Sequence, residues 1–147
     1  MFRLILPLML LTALMGCSGD SAEKYMQAGF VDFQQQKYDE AIANYEKAIK
    51  LQPRAAAAYN MIGMACRFKY NKLGVPEFRQ KEMAAFQKAV EIDPKNWVAI
   101  INLATDYYAA GQKAKAAPLF KRALELNPDH PEKLALQRMI AEGASHP

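Results

Sequence analysis

Few residues in this chain could do chemistry. Its 147 residues include two cysteines, two histidines, one tryptophan and seven glycines. Cys17 and Cys66 stand far apart with no histidine near either, so no set of residues has metal-ligand spacing. His130 and His146 both fall in C-terminal connecting or tail sequence. The glycines form neither a phosphate-cradling loop nor a nucleophile elbow. Carboxylates lie mostly beside lysines on polar helix faces, as with Glu125 and Arg122, where solvation is the ordinary role. No catalytic residue, cofactor or metal is expected, and the chain reads as a non-enzyme. No strand-period pattern appears either. The apolar run at residues 4–14 is too short to span a bilayer.

What is present is repetition. Ala48-Ile49-Lys50-Leu51-Gln52-Pro53, Ala89-Val90-Glu91-Ile92-Asp93-Pro94 and Ala123-Leu124-Glu125-Leu126-Asn127-Pro128 end three segments alike. Pro94 and Pro128 stand 34 residues apart, the period of a two-helix repeat. In the third copy Ile100, Leu103, Ala104 and Tyr107 form one helix face; Gly111 breaks the helix. Ala116, Phe120 and Ala123 then line a second helix that stops before Pro128. The first copy repeats this with Tyr25, Ala28, Gly29, Ala41, Tyr45 and Ala48. The second repeats it with Tyr59, Ile62, Gly63, Cys66, Phe86 and Ala89. Small residues recur where two helices must approach closely.

This pattern resembles the tetratricopeptide repeat (TPR) family, over residues 22–130 as three copies, 22–55, 56–96 and 97–130. The resemblance implies an all-α fold: an α-solenoid of three helix-turn-helix repeats. Its departures are specific. The first copy has Gln36 where the third has Gly111, and the second has Glu82 where the others have Ala41 and Ala116. Pro118 is expected in the first turn of its helix, where it removes no hydrogen bond. The second copy exceeds the period by seven residues, about two helical turns. A projecting hairpin is expected, with Pro76 opening its second helix. Residues 131–142, with Ala135, Leu136, Met139 and Ile140 on one stripe, read as a capping helix. Residues 143–147 read as a frayed tail.

The N-terminus reads separately. Arg3, the apolar run and Gly16 before Cys17 form a secretory signal over residues 1–16. Leu14-Met15-Gly16-Cys17 is similar to the bacterial lipobox, which implies cleavage before Cys17 and lipid on its sulfur. Ser18 after it implies delivery to the outer membrane, facing the periplasm, if the organism has two membranes. Residues 17–21 serve as the lipidated cysteine and a linker. The four residues after Cys17 reach at most about 14 Å, so the domain would sit close to the membrane. With Cys17 consumed, Cys66 is expected as a free, buried hydrophobe and no disulfide is expected.

Two surfaces are candidates for binding. A second stripe on the first helix of each pair holds Met26, Phe30 and Phe33, then Met61, Met64 and Phe68, then Val98, Ile101 and Tyr108. In TPR proteins such a stripe lines the concave groove, and exposed apolar patches usually mark binding sites. Some family members grip a C-terminal carboxylate with Lys and Asn there. Met26 and Phe30 occupy two of those positions, so no such clamp is expected. The alternative is that neighbouring repeats or the last helix cover the stripe. The second surface is a basic prong of Arg67, Lys69, Lys72, Arg79 and Lys81 interleaved with Phe68, Tyr70 and Phe78. It suits anionic lipid or an acidic partner, or else is a solvated hairpin end. An exported chain gives no reason to expect nucleic acid.

The function expected is a membrane-anchored adaptor of the bacterial envelope, binding an apolar or amphipathic segment of a protein partner. Alternatives are a pilotin-like assembly factor for a secretin or pilus, a regulator of a peptidoglycan enzyme, or a self-associating structural subunit.

Overall fold

The computed structural model describes residues 20–145; the leader and Cys17 lie outside them. Seven α-helices follow one another: α1 (Ala22–Gln34), α2 (Tyr38–Leu51), α3 (Ala56–Leu73), α4 (Pro76–Ile92), α5 (Trp97–Ala109), α6 (Lys113–Leu126) and α7 (Lys133–Ala144). No strand occurs among the described residues. Each helix packs mainly on the next in sequence, from α1 on α2 through α6 on α7. Packing in which each repeat touches only the adjacent repeats defines an all-α solenoid.

Local chemistry sets the helix ends. Ser21 caps α1 by accepting the Lys24 N–H at 3.1 Å, and Asn96 caps α5 by accepting the Ala99 N–H at 3.1 Å. Gly74 closes α3 with φ 68°, a left-handed turn that suits glycine, and Pro76 opens α4. Helices α3 and α4 have 18 and 17 residues, against 13 and 14 in the flanking pairs.

One aromatic ring per repeat organises the core. Tyr45, Phe86 and Phe120 are all fully buried. The first helix of each pair presses on that ring through a small residue. A Cβ added at Gly29 would lie 2.7 Å from the Tyr45 ring, and one at Gly63 would lie 2.5 Å from Phe86. Ala104 is the counterpart against Phe120, and both belong to one buried cluster with Ala116 and Leu136.

Two local expectations are corrected. Helix α6 begins at Lys113, so Pro118 sits in its second turn and removes the donor to the Ala114 carbonyl. Both residues are exposed, so that carbonyl lies on a face open to solvent. The capping helix begins at Lys133 and continues through Ala144, beyond residue 142. Residue 143 belongs to the packed fold rather than to a tail. Gly143 is buried, and a Cβ there would lie 2.4 Å from the Lys113 carbonyl oxygen. Contact with α6 thus supports the last turn, where Gly143 lowers the helix propensity. Finally, Gln36 adopts φ 60° at the turn where the third repeat has Gly111 at φ 74°. The turn geometry is kept, with a residue that resists it.

Candidate functional site

The stripe on α1, α3 and α5 does not behave as one surface. In the first repeat it opens. Met26, Phe30 and Met61, with Gln27 and Ala57, line a cavity of about 350 Å³ whose wall includes Tyr45. Phe30 is 50% exposed at its edge. Val98 is also exposed, farther along on α5.

Elsewhere the protein fills its own stripe. Phe33 turns to the hairpin end and meets Tyr38 and Phe68 edge-on, with ring centroids 5.6 and 5.5 Å away; Tyr38 stacks on Phe68 at 5.5 Å. These three rings join the first repeat to the second. Met64 offers its sulfur to Arg67 at 3.9 Å. Ile101 and Tyr108 pack against the cluster that includes Leu136 of α7, and the Tyr108 hydroxyl donates to Glu142 at 2.6 Å. The nine stripe residues therefore divide. Met26, Phe30 and Met61 form one site, while Phe33, Phe68, Ile101 and Tyr108 serve contacts between repeats or with the cap.

The basic set divides as well, which corrects the picture of a single free prong. Arg67 donates through Nε to Glu82 at 2.6 Å and through an NH2 nitrogen to Asp106 at 2.8 Å. Arg79 reaches the same two carboxylates at 3.1 and 3.4 Å. Lys69 is buried and paired with Asp39, and Lys81 pairs with Glu46 at 2.9 Å. Lys72 alone of the five is exposed without a paired carboxylate among the described residues. A run of cations reads as solvated, which would point the Arg67 and Arg79 guanidiniums outward. They turn inward because Glu82 and Asp106 are both fully buried and need them.

This ionic cluster links α3, α4 and α5. Asn102 extends it, accepting from Arg67 at 3.0 Å and donating to Asn60 at 3.0 Å. Burial first, then the hydrogen bond and like charge of Glu82, push the Asp106 carboxyl up to about 7, with Arg67 opposing. Sequence reading missed Asn60, Asn102 and Asp106 as a unit. Glu82 in place of alanine was the available signal, together with Asp106 as the one charged residue of α5.

A second cavity, about 420 Å³, lies where α2, α3 and α4 meet. Ile49, Tyr59, Ile62 and Ala85 line it, with Lys50, Lys81 and Lys88 also contributing. Cys66 is free and fully buried, and burial raises its thiol to about 11, so it stays protonated and inert. Among the described residues no group of His, Cys, Asp and Glu is arranged to hold a metal ion, and no helix is long and apolar enough to cross a membrane.

Two repeat models match the chain: a TPR repeat over residues 29–65 and a tetratricopeptide repeat over residues 83–140. The chain is built from tetratricopeptide repeats, a fold of protein–protein interaction modules. Solved structures agree. The first TPR of Spaghetti (RPAP3), bound to the HSP90 peptide SRMEEVD, is similar with a TM-score of 0.70 at 23% identity, covering 84% of this chain and 93% of that one. The Arabidopsis OM64 TPR domain is similar with a TM-score of 0.69 at 23% identity, covering 82% and 94%. At such identities the likeness is one of fold. Among curated proteins, the tetratricopeptide repeat-containing protein trd-1 of Caenorhabditis elegans is 25% identical over 111 residues, 76% of this chain. A BBSome complex member BBS4 homolog of Drosophila melanogaster is 31% identical over 94 residues, 64% of this chain. The matched regions span only 14% and 18% of those two relatives.

Proposed function

We propose that this chain is an interaction adaptor tethered to the bacterial envelope, and that it holds an apolar segment of a protein partner in the α1/α3 pocket. One observation carries the reading. Met26, Phe30 and Met61 surround an open apolar cavity, and Phe30, half exposed at its edge, is the most exposed of the nine stripe residues. Unbranched methionines can reshape around an incoming side chain. The RPAP3 neighbour holds a peptide, which supports a peptide-like ligand here. An acidic C-terminus is a poor match, since Met26 and Phe30 offer hydrocarbon where that grip needs polar donors.

The tether is the second part of the proposal. The lipobox-like sequence before Cys17 supports lipidation, and Ser18 supports outer-membrane delivery facing the periplasm. Cys17→Ser should abolish fatty-acid labelling of the chain in cells; equal labelling refutes the anchor. The pocket is tested with Phe30→Ser combined with Met61→Ser. The pair should lose a partner that the parent chain retains from its native envelope, while the helical melt changes little. Retention of the partner by the folded double variant refutes the pocket.

A further inference from the structure

We propose that the cavity between α2, α3 and α4 is a second ligand site, and that it takes a small amphipathic carboxylate, with the hydrocarbon body on the cavity floor and the charged head at a lysine rim. It shares no residue with the α1/α3 pocket, so the two sites stand or fall separately.

The two junctions between repeats differ in how they fill this place. Ala48, Ala89 and Ala123 mark equivalent positions in the three second helices. Counted from them, Ile49, Ala84 and Ala85 at the first junction correspond to Val90, Pro118 and Leu119 at the second. At the second junction Leu119 is half-buried against the cluster of α5, α6 and α7. Gln87 also bridges α4 to α5 there, donating to the Tyr107 hydroxyl at 3.0 Å. At the first junction two alanines stand on the α4 wall instead. A cavity of about 420 Å³ opens between them, Ile49 of α2, and Tyr59 and Ile62 of α3. Sites for small molecules typically enclose about 300–1,000 Å³ between mostly apolar walls.

The rim sets the sign of the occupant. Lys81 and Lys88 stand two turns apart on α4 with Ala84 and Ala85 between them, and Lys50 lines the cavity from α2. Glu46 is the one carboxylate among the lining residues. It pairs with Lys81 at 2.9 Å, and Lys88 pairs with Glu91 at 2.8 Å. Both pairs are largely exposed, where an ion pair contributes little and is readily exchanged. Lys50 has no ion pair among the described residues. Three cations against one anion leave the rim positive. Lysine stems also extend the apolar wall while their ammonium groups stay in water. A hydrocarbon body would bury against Ile49, Ile62 and Ala85, and its carboxylate would meet Lys50 without breaking an existing pair. A cationic head would meet like charge, and a neutral one would leave the rim unused.

The test titrates octanoate, 1-octanol and acetate into the full-length chain at neutral pH and follows each by NMR. Octanoate should shift the methyl signals of Ile49, Ile62 and Ala85 saturably and bind about fivefold more tightly than 1-octanol. Acetate should give no saturable shift. Ala85→Leu, which copies Leu119 of the next repeat, should remove octanoate binding from a folded chain. Where it fails to fold, Ala84→Leu, at an exposed place on the same wall, makes the same test. Lys50→Glu should make octanoate and 1-octanol bind equally. Equal binding of the two by the parent, or a preference that survives Lys50→Glu, overturns the lysine rim. An acetate response as strong as that of octanoate overturns the need for a hydrocarbon body. Octanoate retained by the folded Ala85→Leu chain, shifts confined to Met26, Phe30 and Met61, or no octanoate binding at all overturns the site.

Discussion

The first repeat and the junction of the second and third repeats solve the same geometric problem in opposite ways. In both, a buried ring of the second helix is overlain by the stripe of the first. At the junction Arg67 lies over Phe86 and is tied to Glu82, Asp106 and Asn102, so the surface is filled. In the first repeat Phe33 packs with Tyr38 and Phe68, and an open apolar cavity lies beside it between Met26, Phe30 and Met61. One repeat architecture thus yields a sealed, ionic joint and an open, apolar pocket. Which one forms depends on where the overlying side chain finds its better partner. An arginine beside two buried carboxylates is tied across its ring; a phenylalanine beside two other rings packs with them.

The joint should be the most fragile to change. Glu82→Leu leaves Arg67 and Arg79 with half of their buried counter-charge, and a loss of about 3–5 kcal/mol is expected in denaturant unfolding. A loss below about 1 kcal/mol would show that the arginines relax into water and that the cluster is no joint. Gly63→Leu comes next. Its Cβ would already lie 2.5 Å from the Phe86 ring. Overpacking should cost about 1–3 kcal/mol, seen as a lower melting temperature, and an unchanged melt would refute the close approach.

Acidity should separate the two regions more gently. The Asp106 carboxyl is raised from 3.8 to about 7 in the fold, so the folded protein holds a proton that the unfolded chain has released. Stability should therefore rise as pH falls through about 7 toward about 4, by at most about 1.4 kcal/mol per pH unit. Asp106→Asn should flatten that slope, whereas Tyr45→Phe should leave it intact. A slope unchanged in Asp106→Asn would assign the effect to another group. The smallest effect concerns the turns. Gln36 holds φ 60° where Gly111 holds φ 74°. Gln36→Gly should relieve that strain and stabilise the first repeat by up to about 1 kcal/mol. Destabilisation would show that the entropy of the added glycine outweighs the strain.

Much of the fold was legible because repetition is a strong signal. Gly29, Gly63 and Ala104 announced close helix contacts, and Tyr45, Phe86 and Phe120 announced the ring positions, since each recurs at matching places. The candidate site was legible only in part. Helical spacing placed Met26, Phe30 and Met61 on one stripe, but it placed Phe33, Phe68 and Tyr108 there equally well. Spacing fixes the side of a helix on which a residue starts; it does not fix which neighbour the side chain reaches. Charge misled for the same reason. Arg67 and Arg79 sit in a basic run that reads as solvated, and only the partner helices reveal Glu82 and Asp106 behind them.

The sequence alone determined the helices, the repeat order and the recurring small residues and rings, because these follow from local periodicity and from the volume available at a helix crossing. Tertiary structure alone decided which part of the stripe stays open. That choice is a competition among contacts distant in the chain, such as Phe33 with Phe68 and Arg67 with Asp106, and its outcome depends on the relative placement of helices that no local pattern encodes.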